Sequence, residues 1–188
     1  MIGALEETAV RRFTVEEYYR LAEVGVIAPE ERVELIEGII CKMSPEGKPH
    51  VAAIELALDV LNARLKGRHR ARSQHPLHVS DDTEPQPDVA VVESADPRAY
   101  LAEHPRSALL VIEVAQASLK RDLNVKPGLY ARAGVREYWV ESLVDETLHV
   151  FRDPAGDEYR TRLTLRRGDK VSLVALPDVE MEVSDLLP

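Results

Sequence analysis

Apolar residues recur along this chain at two spacings, one helical and one strand-like, and the changes between them mark its elements. Thr14-Val15-Glu16-Glu17 fits a capping box, with Thr14 as N-cap and Glu17 reaching back to it. Tyr18, Leu21 and Ala22 then keep a helical spacing until Gly25. Arg32 to Met43 reads as a hairpin turning at Glu37-Gly38. Alternation along its first arm puts Val33 and Leu35 on one face and Glu34 and Ile36 on the other. After the loop of Pro45, Gly47 and Pro49, a longer helix is predicted from about His50 to Lys66. Val51, Ile54, Leu58, Leu61 and Leu65 recur there every three or four residues, and Gly67 ends it.

The second half is richer in strands. Residues 70–80 read as a strand with one polar face. Glu84-Pro85-Gln86-Pro87 suits neither a helix nor a central strand and leads into the apolar run Asp88-Val89-Ala90-Val91-Val92. A short helix over 97–105 precedes the strand Leu109-Leu110-Val111-Ile112-Glu113-Val114. Ser118 to Lys126 is polar and fits no single element. Pro127 suits a first helical turn, with Leu129, Tyr130 and Ala133 following to a Gly134 stop. Glu137 to Glu141 is a strand around Trp139, whose ring is expected, with Tyr138, in the core or an interface rather than in a base-stacking platform. Leu148 to Phe151, Tyr159 to Leu165 and Val171 to Leu173 read as antiparallel strands, with Asp153-Pro154-Ala155-Gly156 as a turn. Helix, strands, helix and strands in this order predict a mixed α/β domain with a central sheet, and 1–188 is taken as one domain.

Composition narrows the picture only a little. With 45% hydrophobic and 30% charged residues, the chain is that of an ordinary globular protein. No apolar run approaches the roughly 18 residues of a membrane span, and Met1 to Glu7 lacks the pattern of a signal peptide. A cytoplasmic protein with no membrane partner is expected. One cysteine, Cys41, excludes an internal disulfide and is expected to be a buried, inert thiol. A net charge of −9 argues against coating nucleic acid through bulk charge. Local basic runs could still hold a phosphate backbone: Lys66-Gly67-Arg68-His69-Arg70-Ala71-Arg72, and Arg160, Arg162, Arg166, Arg167 and Lys170.

Asp88 and Glu113 change the picture most. Carboxylates are rarely buried without a partner or a metal ion, yet each sits in a run of Val, Ile and Leu. On neighbouring strands the two could share one hard divalent ion. Hydrolysing a phosphodiester needs such an ion to neutralise the phosphate and activate a water. Lys126 follows as a cation able to stabilise the transition state. The competing structural readings are a strand-initiating turn for Asp88 and an ion pair with Arg32 or Arg136 for Glu34.

Together Pro87-Asp88, Glu113-Val114 and the following lysine resemble the PD-(D/E)XK nuclease superfamily. Within it the chain is similar to the Uma-type restriction endonucleases. That likeness extends through Thr14 to Tyr18, Glu34 to Gly38, Met43-Ser44-Pro45, His50, 87–92, 111–114 and 130–140. It implies a restriction-endonuclease-like fold, with a central mixed sheet flanked by helices. By the same resemblance Asp88, Glu113 and the Val114 carbonyl would hold Mg²⁺ or Mn²⁺, Glu34 would be an additional catalytic acid, and Lys126 the catalytic lysine. The superfamily places its lysine two residues after the second acid, where this chain has Ala115. The Uma-type pattern moves it to the next helix, matching Asp122 and Lys126. Because Pro127 follows, Lys126 is expected at the helix start, and its truncation is expected to abolish cleavage with little effect on folding. The expected activity is a Mg²⁺-dependent DNA endonuclease using metal-activated water, working as a homodimer; RNA is the other substrate the sequence leaves open. The alternative is a catalytically silent, dimeric nuclease-fold module for binding or regulation.

Overall fold

The structure, a computed structural model, describes residues 10–188. The signal-peptide reading of the first seven residues lies outside them. The described residues form two compact units, one from 10–44 and 78–85, the other from 45–77 and 86–188.

In the first unit, helix α1 (Val15–Glu23) starts at Thr14, and the capping box forms in both directions. Its buried Val15 and Tyr18 pack with Ile27, Val33 and Leu35. Strands β1 (Val33–Ile36) and β2 (Ile39–Lys42) make the expected hairpin. Its two turn residues, Glu37 and Gly38, have φ of 49° and 73°, as a primed turn requires. A side chain at Gly38 would also collide with Arg12. Segment 78–85 is tied to the hairpin by backbone bonds, Glu84 N donating to Leu35 O at 2.7 Å and Gly38 N to Asp82 O at 2.7 Å. The predicted strand over 70–80 is therefore cut short at Ser73. Cys41 is half-buried, with its thiol 3.6 Å from the Ile39 carbonyl, which corrects the buried thiol expected from the sequence.

The second unit is built on a sheet of six strands among the described residues. In spatial order they are β3 (Arg70–Ser73), β4 (Val89–Val92), β5 (Leu110–Ala115), β6 (Glu137–Ser142), β7 (Thr147–Ala155) and β8 (Glu158–Arg166). Only β5 and β6 run parallel; the other neighbours are antiparallel. Helix α2 (Lys48–Leu65) lays Ala53, Ile54, Ala57, Leu61 and Leu65 onto one sheet face. That face presents Val89, Val91, Leu110, Ile112, Val114, Trp139, Leu148 and Val150. Val51, expected on the buried stripe, is 43% exposed instead; Ala53 and Ala57 let the helix approach more closely than the large residues alone would indicate. Strands β9 (Lys170–Ser172) and β10 (Glu180–Glu182) form a separate ribbon whose apolar residues join the same core.

Helices α3 (Leu119–Asn124) and α4 (Lys126–Arg132) contact β5 to β8. Here Tyr138 packs against Tyr130, Phe151 and Tyr159, with ring centroids 5.0 to 6.4 Å apart. The expected helix over 97–105 is a single 3₁₀ turn, Pro97–Tyr100. The predicted turn at 153–156 lies mostly inside β7, because Pro154 pairs with Tyr159 and the loop is Gly156-Asp157. Among the described residues no helix is long and apolar enough to cross a membrane.

Candidate active site

Strand register brings the two acids together in the backbone. Val89 pairs with Ile112 in the antiparallel β4–β5 ladder, so the next position sets Asp88 against Glu113. Pro87 explains why β4 begins there, since it has no amide to continue the ladder. Asp88 is thus at a strand end, and its carboxylate turns back onto β5. Its Oδ2 accepts the Val114 amide at 2.8 Å and lies 3.2 Å from His50 Nε2 on α2.

Glu113 alternates with Ile112 and Val114, so it leaves the α2 core and faces α3 and α4. Its Oε1 accepts from Lys126 Nζ at 2.7 Å and from the Tyr130 hydroxyl at 2.8 Å. Lys126 Nζ also lies 3.7 Å from Asp122 Oδ1. Lys126 opens α4 directly after α3 closes at Val125, as the following Pro127 suggested. The break between the two short helices lets the lysine stem reach β5. Ala115, the position two beyond Glu113, is fully buried and has no charge to offer.

All four charged groups are withdrawn from water: Asp88 is 7% exposed, Glu113 4%, Asp122 2% and Lys126 6%. Buried charges in low dielectric interact strongly, so the ammonium between Glu113 and Asp122 offsets two carboxylates that would otherwise repel. Other titrations register the same negative field. His50 is raised above its usual pKa, first by its bond to Asp88, with burial opposing and the Val114 carbonyl adding. Burial pushes the Tyr138 phenol well above its usual range, with Glu113 and Asp122 reinforcing the effect.

One acid of this region was not singled out in the sequence. Glu141 on β6 pairs in register with Val114 and is fully buried. Neither of its carboxylate oxygens has a hydrogen-bond partner among the described residues. Burial, and then the charge of Asp88, push its pKa up to about 8, with His50 and Arg167 opposing. The argument that selected Glu113, an acid in an apolar strand, applies equally to Val140-Glu141. Glu137, on the same strand, is also fully buried but accepts from Trp139 Nε1, Arg152 Nε and Val174 N at 2.7 to 2.9 Å. Sequence gave no way to separate the satisfied acid from the unsatisfied one.

Glu34 belongs to the first unit, where it is 1% exposed on β1. Near it Glu84 accepts from the Tyr19 hydroxyl and lies 3.0 Å from His78 Nδ1. Burial raises the Tyr18 pKa, and the charges of Glu84 and Glu34 add to it.

Asp88, Glu113 and the Val114 carbonyl would offer an ion oxygen donors only. Mg²⁺ is commonly bound through one or two carboxylates while keeping several waters. Among the described residues no three His, Cys, Asp or Glu side chains converge on one point, so an ion here would complete its shell with backbone and water oxygens. Oxygen donors of this kind suit a hard divalent ion.

Comparison with known proteins bears on this geometry. The sequence model of the family described as "Uma2: Putative restriction endonuclease" matches residues 15–184. Among solved structures, the chain is similar to one described as a "putative nuclease belonging to DUF820" from Anabaena variabilis. The TM-score is 0.72 at 18% identity, over 93% of this chain and 97% of that one. That likeness is one of fold. A type IIG restriction endonuclease, BpuSI, aligns at a TM-score of 0.38 and 14% identity, over 63% of this chain and 13% of that one. No curated protein matches.

Proposed function

The chain belongs to the Uma2 family, and on that premise we propose that it is a Mg²⁺-dependent DNA endonuclease that hydrolyses phosphodiester bonds. The observation that carries this reading is Lys126 Nζ, 2.7 Å from Glu113 Oε1, on the strand that faces Asp88. Asp88, Glu113 and the Val114 carbonyl are the residues that would hold Mg²⁺, with Mn²⁺ as a substitute. Bound there, the ion would neutralise phosphate charge and lower the pKa of a bound water toward neutrality.

The chain's own groups supply the remainder. Tyr130 donates to Glu113 and fixes its carboxylate, while the Val114 amide and His50 fix Asp88. Lys126, held between Glu113 and Asp122, carries a positive charge that can stabilise the phosphate as negative charge builds up in the transition state. Its buried setting excludes water, which strengthens that interaction. A two-fold homodimer would supply one such site for each strand of a duplex.

Ala115 favours a second reading, a nuclease-fold module that binds without cutting. Incubating the pure protein with plasmid and Mg²⁺ or Mn²⁺, with and without EDTA, separates the two. Cutting that EDTA abolishes, and that Asp88→Asn and Glu113→Gln both lose, supports the enzyme. Intact plasmid at micromolar protein in either metal supports the silent module.

A further inference from the structure

The basic run at 66–72 is only partly used by the fold. Arg68 pairs with Asp178 at 2.7 Å, and His69 bonds the Glu93 carbonyl. Lys66, Arg70 and Arg72 remain, and neither arginine makes an ion pair among the described residues. The two arginines flank Ala71, which lies in the α2 core, so their side chains take the opposite face of the sheet. Both help line a cleft of about 520 Å³ at the free edge of β3, which His75, Tyr100 and His104 also line. No carboxylate lines it. In a chain of net charge −9, a cleft lined by two arginines and, among the described residues, no acid is an unusual concentration of positive charge.

Its walls are fixed by specific bonds. The Asn62 amide accepts from Ala71 N at 3.1 Å and donates to Ala71 O at 3.5 Å, which satisfies the outer edge of β3. The Tyr100 hydroxyl accepts from Ser94 N at 3.0 Å, and the Arg72 guanidinium stands 5.6 Å from the Tyr100 ring centroid. Arg72 is half-buried, and burial together with the neighbouring Arg70 pulls its pKa below the usual guanidinium value. A half-buried guanidinium with an aromatic face but no carboxylate is poorly compensated, and a phosphate would complete it.

The register relates this cleft to Glu113. Arg72 pairs with Ala90, and Ala90 with Val111, two residues before Glu113 on β5. With strands about 4.8 Å apart and about 3.4 Å per residue, Arg72 and Glu113 are roughly 12 Å apart along one sheet face. That span is a few nucleotides along one strand of a duplex.

We propose that the Arg70–Arg72 cleft binds the phosphate backbone of the DNA substrate a few nucleotides from the scissile bond. This rests on the nuclease reading above and adds where the flanking strand lies. The test measures binding of a labelled duplex in EDTA, so that no cutting occurs, across 50 to 200 mM salt. Each lost phosphate contact should reduce the slope of log K against log salt by about 0.9. Arg70→Gln/Arg72→Gln should therefore flatten the slope by about 1.8 and weaken binding about tenfold or more. Arg70→Gln alone, at an exposed position that cannot compromise folding, should flatten it by about 0.9. Arg98→Gln/Arg106→Gln removes two exposed arginines paired to Asp96 and Glu103 outside the cleft and should leave the slope unchanged. A wild-type slope in the Arg70 and Arg72 variants overturns the cleft and leaves the nuclease reading intact. Equal flattening in the Arg98/Arg106 control reduces the effect to bulk charge and also overturns it. If the wild type does not bind the duplex, the cleft falls, and the nuclease reading is decided by the plasmid assay alone. Arg72-dependent binding without any metal-dependent cutting keeps the cleft and removes the nuclease.

Discussion

Replacing Glu141 with glutamine should change the stability of this protein in a way that depends steeply on pH. The carboxyl is fully buried without a partner, and its pKa is raised from an ordinary 4.5 to about 8. Below pH 4.5 it is protonated in both folded and unfolded chains and contributes no difference. Between 4.5 and about 8 the unfolded chain ionises first while the folded chain keeps its proton. The folded state then binds more protons than the unfolded one, so stability falls as pH rises. Each pH unit in that window costs about 1.4 kcal/mol, which gives about 3 kcal/mol at pH 7 and about 5 kcal/mol once both states are ionised. Glutamine has nearly the same shape and cannot ionise. Its amide is also buried without a partner, but that cost of about 1–3 kcal/mol is independent of pH. The decisive quantity is therefore the change in the wild-type-to-variant difference between pH 5 and pH 8, about 4 kcal/mol in favour of glutamine. Urea denaturation of both proteins at pH 5, 6, 7 and 8 measures it, since the other titrating groups cancel. A difference that stays flat within about 0.5 kcal/mol would show that Glu141 does not titrate in this range in the fold. Saturating Mg²⁺ adds a second check. An ion bound at Asp88 offsets the charge that adds to burial in raising Glu141, so the pH dependence should shrink in part; an unaltered profile would count against an ion there.

Three other outcomes follow from the same geometry. Lys126→Ala should abolish plasmid cleavage and also cost about 3–5 kcal/mol of stability, because it removes the ammonium 2.7 Å from buried Glu113 and leaves Asp122 only Arg121, at 3.8 Å. That revises the near-neutral folding effect expected from sequence; exposed Lys120→Ala is the control, and equal urea midpoints for the two variants would refute the burial argument. Glu113→Gln should remove Mn²⁺ binding measured by calorimetry while Tyr130→Phe only weakens it, and wild-type affinity in Glu113→Gln would remove Glu113 from the ion. Thr14→Ala should cost about 1 kcal/mol by breaking the capping box, read from the thermal midpoint.

The local elements were legible because each is signalled within a few residues. Thr14 and Glu17 announce α1, Glu37-Gly38 announces the hairpin, and the Val-rich runs around Asp88 and Glu113 announce β4 and β5. Capping, turn chemistry and alternation depend on near neighbours, so sequence determined them. The same locality explains the errors. Pro154 looked like a turn residue, yet pairing with Tyr159 carries β7 past it. The strand expected over 70–80 stopped at Ser73 because 78–85 found its bonds in the first unit.

Which polar groups meet was decided by the tertiary structure. Sequence could nominate Asp88, Glu113 and Lys126, but their spacing does not state that the β4–β5 register opposes the first two. Nor does it state that the break between α3 and α4 turns the lysine onto Glu113. Glu137 and Glu141 lie on one strand, four residues apart, with the same burial. One found Trp139, Arg152 and Val174, and the other found no partner. Burial and alternation are properties of a segment, whereas the compensation of a buried charge depends on residues brought from elsewhere in the chain. That is why the elements could be read along the sequence, and why the chemistry of the site required the fold.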